Sequence, residues 1–198
     1  MNTIEVTNKG VTKETFARLR SVIACASKDP TRAVINLVLV EEGKGGITIT
    51  ATDGTRLRSD TFEIEAEPGL YEIKSCNAKS VFMVQNDEKL AYPVYGQVIP
   101  AHGKQDAYAL EGRGKRFVLW AASALGCYLD PKLVEVGEEE EVTLYIQKKS
   151  PHLSPALVKN TTTTLVVMPI TPHWPWFHEL EAIKADQFQG LEKEQQAA

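Results

Sequence analysis

The chain has 198 residues, of which 43% are hydrophobic and 24% charged, enough apolar material for a packed core in one domain or two small ones. Its formal net charge of −4 argues against a domain that grips nucleic acid over a wide surface, which would be basic. It leaves room for a protein that encircles DNA, where only the inner face need be positive. No apolar run approaches the length of about 18 residues that a membrane span requires, and the opening MNTIEVTNKGVTKE is too polar for a secretory signal, so a cytoplasmic protein without membrane contact is expected.

Residues 3–7 alternate apolar and polar and predict a short strand. Thr12 is a helix N-cap, and Phe16, Leu19, Ile23 and Ala26 then recur at helical spacing as one apolar stripe. The opposite face carries Lys13, Ala17, Arg20, Ala24 and Lys28. The helix is expected over about 12–28, ending near Pro30. VINLVLVEE (34–42), ITITATD (47–53) and LRSDTFEIE (57–65) predict three antiparallel strands, with GKGG (43–46) as the turn between the first two.

YEIKS (71–75) predicts a strand, AKSVFMVQN (78–86) a short helix, YPVYGQVIP (92–100) an extended connection and GKQDAYALEGRGKR (103–116) a loop. FVLWAASALGCYL (117–129) has helical length and composition. The acidic run 138–141 reads as a solvated turn. VTLYIQ (142–147), ALVKN (156–160) and TTTTLVVMPI (161–170) predict three further strands. A helix followed by three strands therefore occurs twice. The end of the chain holds Trp174, Trp176 and Phe177, whose exposure would be costly, and then a polar stretch expected to be partly disordered.

Few residues suggest catalysis. GKGG lacks the rest of a phosphate-binding loop. ATDGTRL (51–57) matches the later half of a D-x-D-G-T phosphatase motif, but Ala51 stands where the nucleophile belongs. His102, His152, His173 and His178 are scattered, and no G-x-S-x-G elbow is present. Cys25, Cys76 and Cys127 lie far apart without a C-x-x-C pair, which predicts buried thiols rather than a disulfide framework or zinc site. No catalytic residue, metal or cofactor is expected.

Four segments, ASKDPTRAVINLVLVE (26–41), ITITATDGTRL (47–57), YPVYGQVIP (92–100) and LVVMPI (165–170), resemble, in the same order, pieces of the bacterial DNA polymerase III β subunit, the sliding clamp. The first two are similar to its middle domain, the third to the linker between its middle and last domains, and the fourth to its final strand. Thr55 departs from the histidine of the family's ATDGHRL-like motif, and Val94 from the aspartate of its linker. The resemblance implies an α+β, DNA-clamp-like fold of two β-α-β-β-β-type halves, with helices packed on antiparallel sheet.

Too few residues separate Leu57 from Tyr92 for a complete middle domain. One composite domain over 1–172, with 66–116 inserted and 173–198 as an aromatic tail, is the favoured organisation. Two abbreviated domains meeting near residue 100 are the alternative. The resemblance further implies a non-catalytic scaffold in replication or repair that recruits a polymerase or other clamp-binding protein through a short peptide. Carried over by position, the peptide pocket uses Ile35, Thr52, Gly54, Arg56 and Leu57 with Val166, Met168, Pro169 and Ile170. For Ile35 and Val166, packing at a core edge is an equal reading. Lys13, Arg20 and Lys28 would face double-stranded DNA, weakly and without sequence preference; an ordinary solvated face is the plain alternative. A ring would require a homo-oligomer. A clamp-derived interaction module that encircles nothing is the second hypothesis, and a phosphatase-like enzyme the third.

Overall fold

The computed structural model describes residues 2–170, and the expectations for Trp174, Trp176, Phe177 and the rest of the tail lie outside these residues. Ten strands and two α-helices alternate as β1 (Thr3–Thr7), α1 (Lys13–Ala24), β2 (Val38–Gly43), β3 (Gly46–Thr52), β4 (Arg56–Phe62), β5 (Gly69–Cys76), β6 (Ser80–Gln85), β7 (Ala107–Arg113), α2 (Gly114–Ala124), β8 (Glu141–Gln147), β9 (Ala156–Lys159) and β10 (Thr163–Val167). The order β-α-β-β-β thus appears twice, as β1-α1-β2-β3-β4 and as β7-α2-β8-β9-β10. No helix among the described residues is long and apolar enough to cross a membrane.

The residues group into two compact units, Met1–Ile99 with Val158–Val167, and Pro100–Leu157 with the described residues from Met168 onward. In the first unit the antiparallel strands run in the order β1-β6-β5-β2-β3-β4-β10. Thr12 caps α1 as its sequence position predicts, its Oγ1 accepting the Thr15 amide at 3.1 Å. Phe16, Leu19, Val22 and Ile23 press one face of α1 onto Val38, Val40, Ile47, Ile49, Tyr71 and Met83 of the sheet. Each such buried side chain is worth about 1.5–3 kcal/mol of transfer free energy. Gly46 opens β3 at φ +152°, and a Cβ there would meet the Phe62 carbonyl oxygen at 2.1 Å. Only glycine lets that hairpin lie this close to the end of β4.

Four local expectations differ from what forms. The helix α1 stops at Ala24, because the Cys25 and Ala26 amides turn back to the Val22 and Ile23 carbonyls, so Lys28 lies beyond it. Residues 33–36 make a 3₁₀ turn ahead of β2. The segment 78–86, expected as a helix, is the strand β6, paired on one side with β1 and on the other with β5. Asn77 sets the β5–β6 turn by accepting the Lys79 and Ser80 amides at 2.8 and 3.1 Å. The segment expected as a loop at 103–116 contains β7, paired with β8 along its whole length, from Ala107 opposite Gln147 to Arg113 opposite Glu141.

In the second unit β7 pairs with β8, with α2 against both strands, and the first two residues of β9, Ala156 and Leu157, belong to it as well. Val118, Ala121 and Ala122 of α2 are buried, as are Val142, Leu144 and Ile146 on alternate positions of β8. Cys127 is sealed in as well, and burial pushes its thiol up to about 12.

Candidate functional site

The loop between β3 and β4 holds most of the residues singled out in ATDGTRL, and its geometry follows from its small polar side chains. Asp53 Oδ1 accepts the Thr55 amide at 2.8 Å, the Thr55 hydroxyl at 2.6 Å and the Arg56 amide at 3.0 Å. Thr52 closes the other side, donating to the Arg56 carbonyl at 2.7 Å and accepting the Gly54 amide at 3.1 Å. Gly54 sits at φ +90°, and a Cβ there would come within 2.8 Å of Arg32 Nη1, which itself donates to the Asp53 carbonyl at 3.2 Å. Burial alone would raise the Asp53 carboxyl, but the bonds from Thr55 and Arg56 and the Arg56 charge outweigh it and hold the group below its ordinary value.

Arg56 is turned into the protein. Its Nε lies 3.3 Å from Asp53 Oδ2, and its Nη2 donates to the Ala24 carbonyl at 2.8 Å, at the C-terminal end of α1. A cation there complements the helix dipole and ties the loop to the helix.

Register brings three of the expected pocket residues into one row. Thr52 on β3 lies opposite Leu57 on β4, and Leu57 lies opposite Val166 on β10. Directly paired residues share a face with Cβ atoms about 5 Å apart. Two segments remote in the chain therefore meet within the first unit, and Leu57 and Val166 are both only 3% exposed. Ile35 is half-buried in the 3₁₀ turn, where its carbonyl accepts the Ser27 amide. Met168, Pro169 and Ile170 follow β10 in the chain and belong to the second unit. Met168 is 41% exposed, and the Ile170 amide donates to the Tyr128 carbonyl at 2.8 Å.

Of the cations expected to face DNA, Lys13 and Arg20 are exposed on α1, with exposed Ala17 between them and exposed Ala24 after them, and Lys28 is exposed after the helix ends. Ala51, at the position a phosphatase nucleophile would occupy, is fully buried against α1.

Two groups of residues escaped the sequence reading. Tyr95, in the 92–100 connection, donates to Glu41 Oε2 at 2.6 Å; burial and that carboxylate raise its hydroxyl pKa. Beneath α1, Arg58 and Asp60 form a buried pair, with Nη2–Oδ2 at 2.9 Å and side chains 3% and 0% exposed, and Arg18 Nε approaches the same oxygen at 3.5 Å. Arg58 and Asp60 are two apart on a strand and so share a face, which was the signal available.

No protein-family model matches the sequence, and no curated protein does. The structure, in contrast, is similar to many solved clamps. The DNA polymerase III β subunit of Thermotoga maritima aligns with a TM-score of 0.51 at 15% identity, over 86% of this chain and 66% of that one. A DNA polymerase III β subunit from Eubacterium rectale gives 0.55 at 12%, over 85% and 65%. The C. crescentus β sliding clamp, solved with polyethylene glycol bound at a β-motif tethering region, gives 0.50 at 16%, over 85% and 66%.

The fold is that of a sliding clamp. The α+β class and the doubled β-α-β-β-β order expected from the resemblance both hold. The chain spans about two thirds of the length of these clamps, 65–66%.

Proposed function

We propose that the chain is a non-catalytic, clamp-type scaffold of DNA replication or repair, which recruits a polymerase or other partner by capturing a short peptide with apolar anchors. The observation that carries this reading is the row Thr52–Leu57–Val166, which puts the two segments that resemble the clamp's peptide pocket side by side. A pocket beside this row would take leucine or phenylalanine as its apolar anchor. Met168, which the resemblance assigns to the pocket, is exposed. Arg56 positions the loop rather than the ligand. The scaffold reading also fits a phosphatase-like motif whose nucleophile position is an alanine sealed in the core.

The test is titration of a labelled peptide of the Gln-Leu-x-Leu-Phe type. Met168→Lys puts a charge where an anchor should sit, costing about 2 kcal/mol or more, at least tenfold in affinity. Saturable binding that the folded variant loses supports the scaffold. A wild-type protein that binds no such peptide at any concentration, including those at which it self-associates, removes the recruitment function.

A second reading is an interaction module that keeps the fold and borrows clamp partners without encircling DNA. It is favoured by the formal net charge of −4, which is unlike that of a protein gripping DNA over a wide surface. Solution mass bears on the two, because the ring reading calls for a homo-oligomer and the module reading does not. Lys13, Arg20 and Lys28 together test DNA contact: their triple charge reversal should lower DNA retention at low salt in a ring and leave it unchanged in the module.

A further inference from the structure

On the flank of α1, within the first unit and apart from the row of pocket residues, lies a cleft of about 510 Å³. It is lined by the first turn of α1, the end of β4 and the β9–β10 turn, and both Arg18 and Lys44 reach it. Arg18 is unevenly satisfied there. Asp60 already takes three hydrogen bonds from Arg58, at 2.9, 3.2 and 3.3 Å, and Arg18 Nε meets it only at 3.5 Å, without a hydrogen-bond partner of its own. Its Nη2 donates to a neutral acceptor, the Thr61 carbonyl, at 3.0 Å. The guanidinium lies 5.2 Å over the Phe62 ring, which holds it in place as a planar donor.

We infer that this cleft binds a small phosphate-bearing molecule. Arg18 offers a rigid guanidinium, Lys44 a flexible ammonium from the β2–β3 turn, and Thr15 and Thr162 polar side chains; all four residues line one cavity. The positive pole of α1 adds to the same side. Glu63 also lines the cleft and opposes an anion, so it restricts binding to ligands that Arg18 and Lys44 can both reach. A concave site of this volume is of small-molecule size.

The probe is inorganic pyrophosphate, titrated at low ionic strength against the ¹⁵N-labelled full chain. The amides of Thr15, Arg18 and Thr162 should shift saturably, with Kd of about 1 mM or tighter. Lys44→Glu, an exposed turn position, should weaken binding by about three- to tenfold, and Glu63→Gln should tighten it by about two- to threefold. Arg18→Gln should abolish the shifts, but since it also touches Asp60 the Lys44 and Glu63 variants decide the matter. Lys79→Glu, the same charge change outside the cleft, should bind as wild type. The inference is overturned by any of four results: no saturable shift up to about 10 mM; Lys44→Glu binding like wild type; Lys79→Glu weakening binding as much as Lys44→Glu; or shifts at these amides produced by a DNA duplex but not by pyrophosphate.

Discussion

Asp60 is a residue whose loss the structure makes costly, and Asp60→Asn isolates its charge at constant shape. The carboxylate is fully buried beside an equally buried Arg58, bonded at 2.9 Å, with Arg18 at 3.5 Å on the same oxygen. Removing one member of such a buried pair costs about 3–5 kcal/mol, because the remaining charges stay desolvated. Set against a total stability of about 5–15 kcal/mol, that is a large share. The location matters for the site: Asp60 lies opposite Thr163 and Arg58 opposite Leu165 in the β4–β10 register that also aligns Leu57 with Val166. Urea unfolding of wild type, Asp60→Asn, Arg58→Met and the double variant gives the magnitude. Each single change should lower stability by about 3 kcal/mol or more, and the double should cost less than the sum by about 1 kcal/mol or more. An Asp60→Asn cost below about 1 kcal/mol, or strict additivity in the double variant, would refute the buried-pair argument.

Other expectations follow from single groups. Asp53 is held below its ordinary pKa in the fold, so the unfolded chain binds its proton first; its stabilisation is complete above the unfolded value of 3.8 and is lost as pH falls through the lower folded value. Wild-type stability should therefore drop more steeply below about pH 4 than that of Asp53→Asn, and parallel curves in urea titrations across that window would contradict it. Cys76 is exposed, whereas Cys127 is buried with its thiol pushed up to about 12. A thiol reagent at pH 8 should modify Cys76 promptly and Cys127 only on unfolding, and equal rates under native conditions would place Cys127 wrongly.

The order of elements was legible because hydrophobic periodicity and caps are local. Thr12 and the Phe16–Leu19–Ile23 stripe sufficed for α1, and the alternation in ITITATD for β3. Where local signals were ambiguous the reading slipped. AKSVFMVQN is a short apolar run that fits either a helix or a buried strand, and Asn77, whose side chain makes the β5–β6 turn, was the residue that could have decided it. β7 read as a loop because much of it is exposed, with Tyr108, Ala109, Glu111 and Arg113 all open to solvent, so it lacks the apolar alternation that marks a half-buried strand.

The site was legible only in part, and for a different reason. The segments ATDGTRL and LVVMPI could be named from their resemblance to a clamp, but no periodicity in either says that β4 and β10 are neighbours. That follows from the register, which puts Leu57 beside Val166 and Arg58 beside Leu165. Side-chain roles that depend on such approaches were hidden with it. The resemblance assigns Arg56 to the pocket by its position in the clamp-like motif alone. Here α1 ends within reach of it, and the Ala24 carbonyl, unsatisfied by its own helix, accepts its Nη2 at 2.8 Å. The same dependence explains Ala51. Its place in a phosphatase-like string drew attention to a missing nucleophile, but β3 turns that position toward α1 among Ile47 and Ile49. A side chain there meets the core and not solvent, so even an aspartate at 51 would be a buried charge before it could be a nucleophile.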